Sequence, residues 1–261
     1  MRIANVIKNI YFSVAIFISK ELGEGASILM YHSVDANNAF FSVTKEAFEK
    51  QMEYLVSRKV TILKLSELVR RMQSGESIVG CVCITFDDGY KDNYINAFPI
   101  LKKYNIPATI FLTTGSIGGS LVLKSGISLP ILSLVEIMEM RDSGLVEFSP
   151  HSVTHIKYNQ DNFEKCTNEA IASKEQLEQL LGEPSTVYAY PSGRFDAHFV
   201  EVIKNEGYTA AVTVKEGIVY GGDDLFALKR NPVDSLTGMT QFKGKISRGV
   251  ELYIWTKNIF K

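Results

Sequence analysis

The sequence predicts an α/β fold of parallel strands wrapped by helices, and three observations predict it. Seven short apolar, β-rich runs recur along the chain, at 27–31, 60–63, 81–86, 108–112, 145–148, 186–190 and 210–214. Helical patterns fill the intervals, and that alternation is what crossover helices between parallel strands produce. Size agrees: 261 residues with 46% hydrophobic content suit one barrel-sized core without a second domain.

The elements follow in order. Residues 1–26 carry an apolar stripe, Ile3, Val6, Ile10, Val14 and Phe17, set apart from Asn5, Lys8, Asn9, Ser13 and Lys20. That spacing predicts an amphipathic helix. The eleven uncharged residues between Lys8 and Lys20 are too few to span a bilayer, and no small-residue cleavage site follows them. Phe48, Met52 and Leu55 recur at i, i+4 and i+7 and predict a helix over 44–58. In the run CVCITF, Cys81 and Cys83 share one side and read as small core residues rather than ligands. With only three cysteines in the chain, no disulfide framework is implied.

The Gly- and Ser-rich stretch 115–129 lacks a period and reads as a loop on the active face. Ser133 and Glu136 form a capping box for a helix that Gly144 stops. The long, charged, proline-free stretch 161–182 reads as a surface helix. At the end, 237–261 places Phe242, Ile246, Val250 and Tyr253 at helical spacing among Lys243, Lys245, Arg248, Lys257 and Lys261. This predicts a basic amphipathic helix, and Trp255 suits a membrane interface. The main domain is then 27–236. A net charge of −1 gives no field to attract nucleic acid.

Chemistry concentrates at two points. Asp87 and Asp88 emerge where the run CVCITF ends, with Gly89 to turn the chain. Alone, such a triplet is more often a helix cap than a site. His151 and His155 follow the run LVEF, and in a helical segment their i, i+4 spacing would put both rings on one face. Asp88, His151 and His155 together offer one carboxylate oxygen and two imidazole nitrogens, a set for one divalent ion with an open position. Zinc is the default, and nickel or cobalt also fits. Asp87 beside them is left as the base that a metal-dependent hydrolase needs.

The runs ILMYHSV (28–34), ITFDDGY (84–90), SPHSVTH (149–155) and AYPSGRFD (189–196) resemble the signature blocks of the polysaccharide deacetylases, the NodB-homology or carbohydrate esterase family 4 enzymes. The text of 91–112 and 204–213 resembles them too, so the similarity covers roughly 27 to 233. The resemblance implies a distorted, incomplete (β/α) barrel. It implies an acid histidine, here His32, in the branch that carries this block first. It also aligns Ser192, within Tyr190-Pro191-Ser192, with an amide that stabilises an oxyanion. One departure stands out: the family's arginine two residues before the proline is Ala189 here. Arg230 is the first candidate to replace it and Arg194 the second.

The implied activity is removal of an N-acetyl group from an amino sugar in a surface polysaccharide or its lipid-linked precursor. The alternative is a catalytically silent carbohydrate-binding or scaffold protein of the same fold, supported only by the missing arginine. The two amphipathic ends add the expectation of a cytoplasmic enzyme resting peripherally on the inner face of a membrane.

Overall fold

Each of the seven apolar runs forms a strand in the computed structural model, which describes Phe12 and residues 24–259. They are β1 (Ser27–Tyr31), β2 (Ile62–Leu63), β3 (Val82–Phe86), β4 (Ala108–Leu112), β7 (Val146–Pro150), β8 (Val187–Ala189) and β9 (Ala210–Val212). Three more strands are β5 (Ser120–Val122), β6 (Ser128–Pro130) and β10 (Asn231–Pro232). The main ladder runs β10-β1-β3-β4-β7, all parallel, with β2 beside the start of β3. β8 and β9 form a separate parallel pair, and a bridge from Val212 to Leu228 leads from it toward β10. Among the described residues no ladder joins β7 to β8. The expected barrel is present and open on that side.

The helices are α1 (Lys45–Ser57), α2 (Leu65–Ser74), α3 (Phe98–Tyr104), α4 (Leu134–Asp142), α5 (Phe163–Leu181), α6 (Ala197–Asn205), α7 (Met239–Lys245) and α8 (Gly249–Ile259). Strand parity divides the core. Leu29, Ile84, Phe86, Ile110 and Phe148 join Phe48, Met52 and Leu55 of α1, Ile137 and Met140 of α4 and Leu177 of α5 in one cluster. Ile28, Cys83, Phe111, Ala189 and Val212, of the other parity or on the separate pair, form a second. Because parallel strands are buried on both faces, they appear in the sequence as unbroken apolar runs. Both Cys81 and Cys83 are buried in the second cluster, as small core residues. The α4 capping box of Ser133 and Glu136 forms, and Gly144 follows the helix at φ 72°.

Three expectations need correction. The stretch 115–129 is not all loop, since β5 within it pairs antiparallel with β6, which runs on to Pro130, and Leu129 packs with Ala39, Tyr90 and Ile131. The chain end is not one helix: it breaks at Ile246 into α7 and α8. Its apolar stripe is used inside the fold, with Phe242, Ile246 and Val250 buried and Trp255 exposed. The helix α5 is not merely a surface element, because Cys166, Glu169, Ala170, Ser173, Leu177 and Leu181 are buried along it. The N-terminal helix expected over 1–26 lies outside the described residues, apart from Phe12, which is buried against Gly244 and stacks on Tyr253 at 5.2 Å. No described helix is long and apolar enough to cross a membrane.

Candidate active site

The site grows from the end of β3. Strand alternation puts Cys81, Cys83, Thr85 and Asp87 on one side, and the Asp87 amide still donates to Tyr31 O at 2.9 Å, so the row stays in register to its last member. There the Asp87 carboxylate meets Arg230. The guanidinium donates Nη1 to Oδ1 at 2.6 Å and Nη2 to Oδ2 at 2.7 Å, the two-pronged geometry that makes arginine–carboxylate pairs strong and directional. Arg230 is fully buried, donates Nε to Thr213 O at 2.9 Å and lies over the Phe111 ring. Burial alone would raise the Asp87 carboxyl, but the guanidinium, with His151 behind it, holds it well below the usual carboxylate range. Arg230 is therefore the arginine that pairs with Asp87, whereas Arg194 is exposed.

Alternation would send Asp88 to the opposite side. Its backbone instead takes φ 70°, followed by Gly89 at φ 76°, and the turn brings both carboxylates to one site. Gly89 is required twice over, since a Cβ there would sit 2.4 Å from Leu112 Cδ2. Asp88 Oδ1 is buried and has no hydrogen-bond partner.

His151 begins the loop after β7. Its amide donates to Leu112 O at 2.8 Å, and its Nδ1 donates to Ala189 O at 2.8 Å, so the side chain spans the open side of the barrel between β7 and β8. That bond fixes the tautomer and turns the Nε2 lone pair inward. Nε2 lies 3.9 Å from Asp88 Oδ1 and 4.0 Å from Asp87 Oδ2, and His155 Nε2 lies 3.7 Å from Asp88 Oδ1. The helical route to this clustering is wrong. Residues 151–155 form a loop with Ser152 at φ 61° and His155 at φ 57°, and the rings meet edge to face at 4.9 Å.

The three candidate ligand atoms lie within 4.8 Å of one another. Bonds of about 2 Å to one cation hold neighbouring donors roughly 3–4 Å apart, so the 3.9 and 3.7 Å separations of the two imidazoles from Asp88 Oδ1 fit. The orphaned Asp88 oxygen also fits, because an unpaired buried acceptor is expensive unless an ion satisfies it. Burial pushes the His151 imidazole down to about 4, keeping it neutral and able to ligate.

That shift has a measurable consequence. In metal-free protein the unfolded imidazole binds a proton below its ordinary 6.5, while the folded one stays neutral to about 4. The unfolded state thus holds more protons in this window, and stability falls as pH drops through it, by about 3 kcal/mol. Burial raises the Asp92 carboxyl to about 6, which contributes with the opposite sign in this window. The His151 slope should therefore be read as the difference between wild type and His151→Asn in denaturant unfolding with chelator from pH 7 to 4.

His32 follows β1 and is half-buried, its ring 5.2 Å from Phe41, which stacks in turn on Tyr90 at 5.5 Å. Its block is pinned from the turn after Asp88. Asp92 accepts from Ser33 Oγ at 2.7 Å and Val34 N at 2.8 Å, and Asn93 Nδ2 donates to His32 O at 2.8 Å. Asn93–Ala97 is a π-helical turn, a local rearrangement frequent beside functional sites.

The 189–193 turn closes the site. Tyr190, Gly193 and Arg194 amides donate to Val212 O, Tyr190 O and Pro191 O, and Pro191 has no N–H. Ser192, at φ 57°, is left as the amide of this turn with no backbone acceptor among the described residues. The Tyr190 side chain points away, into an aromatic cluster with Tyr188 and Phe199, with its hydroxyl on Phe226 O.

Sequence reasoning missed Asp92, Asn93 and Glu169. Glu169 Oε2 accepts the Thr154 amide at 2.8 Å and Oε1 its hydroxyl at 2.7 Å. A signal existed: Glu169 lies in phase with Cys166, Ala170 and Ser173 on the apolar side of α5.

Known proteins are similar to this chain in sequence and fold. The family model described as polysaccharide deacetylase matches residues 74–211. YxkH of Bacillus subtilis strain 168 is 31% identical over 204 residues, 78% of this chain and 69% of YxkH. The poly-beta-1,6-N-acetyl-D-glucosamine N-deacetylase of Staphylococcus epidermidis is 30% identical over 198 residues, 73% of this chain and 67% of that protein. The solved structure of the Streptococcus pyogenes deacetylase PplD in complex with acetate superposes with a TM-score of 0.70 at 29% identity, covering 81% of this chain and 95% of that one. With an open barrel of this topology, an Asp-Asp pair at the end of β3 and matches of this extent, the chain belongs to the polysaccharide deacetylase family, as a deacetylase of the NodB-homology fold.

Proposed function

We propose that this enzyme removes N-acetyl groups from amino sugars of a surface polysaccharide or its lipid-linked precursor, with a divalent metal held by Asp88, His151 and His155. One observation carries the reading: a carboxylate clamped by Arg230 lies 4.0 Å from His151, which also lies 3.9 Å from the unpartnered Asp88 oxygen. Amide hydrolysis by water calls for such a base next to a Lewis-acid position. The name of the staphylococcal relative, a poly-beta-1,6-N-acetyl-D-glucosamine N-deacetylase, supports the substrate class.

When bound, the metal would polarise the acetyl carbonyl and make a nearby water more acidic. Asp87 accepts the proton of the attacking water as its oxygen bonds to the acetyl carbon. Arg230 keeps the carboxylate ionised and aimed, and also makes it a weak base. The Ser192 amide donates to the carbonyl oxygen as negative charge develops there. His32 delivers a proton to nitrogen as the C–N bond breaks, because an amine anion is a poor leaving group. Acetate and a free amino sugar result. The Arg230–Asp87 pair weighs against the silent-scaffold alternative, whose one support is the missing motif arginine.

Acetate release should be seen from a β-1,6-linked N-acetylglucosamine oligomer, stop on chelation and return with zinc or cobalt. Metal-loaded protein that releases no acetate from any N-acetylated sugar of a panel, lipid-linked glycans included, would overturn the reading. Repeating the assay with anionic vesicles at the inner-face composition tests peripheral membrane contact, for which the exposed Trp255 is the support.

A further inference from the structure

We propose that Glu169 is a positioning residue for the metal site, fixing the loop that presents His155. The inference rests on the reading that Asp88, His151 and His155 hold a divalent cation. Glu169 is 8% exposed and makes no salt bridge among the described residues. A buried carboxylate without a cation is costly, so its hydrogen bonds have to offset that cost. Both of its oxygens are turned on one residue, accepting the Thr154 amide at 2.8 Å and the Thr154 hydroxyl at 2.7 Å. Thr154 is itself exposed, so the clamp is not needed to satisfy a buried threonine.

What the clamp restrains is the next residue. His155 sits at φ 57° and Ser152 at φ 61°, a left-handed backbone that costs an L-residue about 1–2 kcal/mol. Such conformations persist only where the surroundings over-determine them. The near half of the loop is fixed from the turn after β4: Thr114 and Gly115 amides donate to Ser152 O and Val153 O at 3.1 and 2.9 Å. A Cβ on Gly115 would sit 2.7 Å from Val153 O, so that contact depends on glycine. The same turn is tied to α5, because the Thr114 hydroxyl donates to Gln176 Oε1 at 2.7 Å. The far half, beside His155, is held by Glu169. Two hydrogen bonds to one buried side chain fix both the main chain and the side chain of Thr154, and helix α5 thereby supports both sides of the histidine pair.

The test is cobalt(II) binding to the full chain, followed by its visible absorption against a competing chelator, with unfolding of each metal-free variant measured alongside. Glu169→Ala should weaken cobalt affinity about 10-fold or more, the range seen when groups that orient ligands are removed. Glu169→Gln should stay near wild type, since an amide still accepts the Thr154 N–H and can donate to its hydroxyl. Should Glu169→Ala fail to fold, Thr154→Val at its exposed position removes one of the two bonds and should weaken affinity by a smaller factor. Unchanged affinity in Glu169→Ala, or in Thr154→Val where that variant carries the test, would overturn the proposal. So would a Glu169→Gln as weak as Glu169→Ala, which would assign the effect to charge. Wild-type protein that binds no cobalt would instead remove the metal reading, and this inference with it.

Discussion

Asp87→Asn is expected to lower acetate release by about 10²–10⁴-fold, the usual weight of a general base, with metal content unchanged. The same substitution should cost stability. It strips Arg230 of its counter-charge and replaces two carboxylate oxygens by one amide oxygen, so the fully buried guanidinium keeps only that acceptor, Thr213 O and Thr85 Oγ1. Removing one partner of a buried ion pair typically costs about 3–5 kcal/mol, because the other charge stays behind. Arg230→Met should be unstable for the mirror reason, and Arg230→Lys should rescue little, since an ammonium cannot reproduce the two parallel bonds to Asp87. Replacing both, as Asp87→Leu with Arg230→Met, should restore much of the stability and none of the activity. Urea unfolding and acetate release on these four variants separate the two roles. A double variant as unstable as the singles would mean that the site's shape, not its charge balance, sets the stability. An active Asp87→Asn would take the base away from this residue.

The parts of this molecule that the sequence made legible are those where one physical demand acts alone. Strands β1, β3, β4 and β7 could be placed because burial on both faces leaves them mostly apolar, with only Ser27, Thr85, Thr109, Glu147 and Ser149 as polar members. Asp87 and Asp88 stand out because carboxylates directly after such a run have to be accounted for. Arg230 was within reach by a similar argument, as a charge after a short strand-like run, but its bond to Asp87 spans 143 residues and no local pattern encodes it. The histidine spacing led to residues that do cluster with Asp88, but by the wrong geometry. A left-handed backbone at Ser152 leaves no mark in residue type, and at His155 only the weak one that histidine tolerates positive φ better than most. Glu169 stayed hidden because charges are normally read as the solvent face of a helix, and the one that is buried is visible only by its phase. At the chain end, an apolar stripe fits a membrane and a protein core equally well; packing of Phe242, Ile246 and Val250 decided for the core.

His32→Ala should separate leaving-group protonation from every other step. On an N-acetyl amide the loss should reach about 10²–10⁴-fold, as for other positioned acids. On an aryl acetate the loss should be far smaller, since a phenolate departs without a proton. Folding and metal content should hold, because the ring is half-buried against Phe41 and makes no hydrogen bond among the described residues. The pinning of residues 32–34 runs through the main chain and Ser33, to Asp92 and Asn93, and survives the substitution. The informative quantity is the ratio of the two losses. Equal losses on amide and ester would place His32 in the attack step, orienting water or carbonyl. Unaltered amide turnover would hand the acid role to another group, or show that C–N cleavage does not limit the rate. A large amide loss beside a small ester loss has one physical reading, that nitrogen leaves only when His32 gives it a proton.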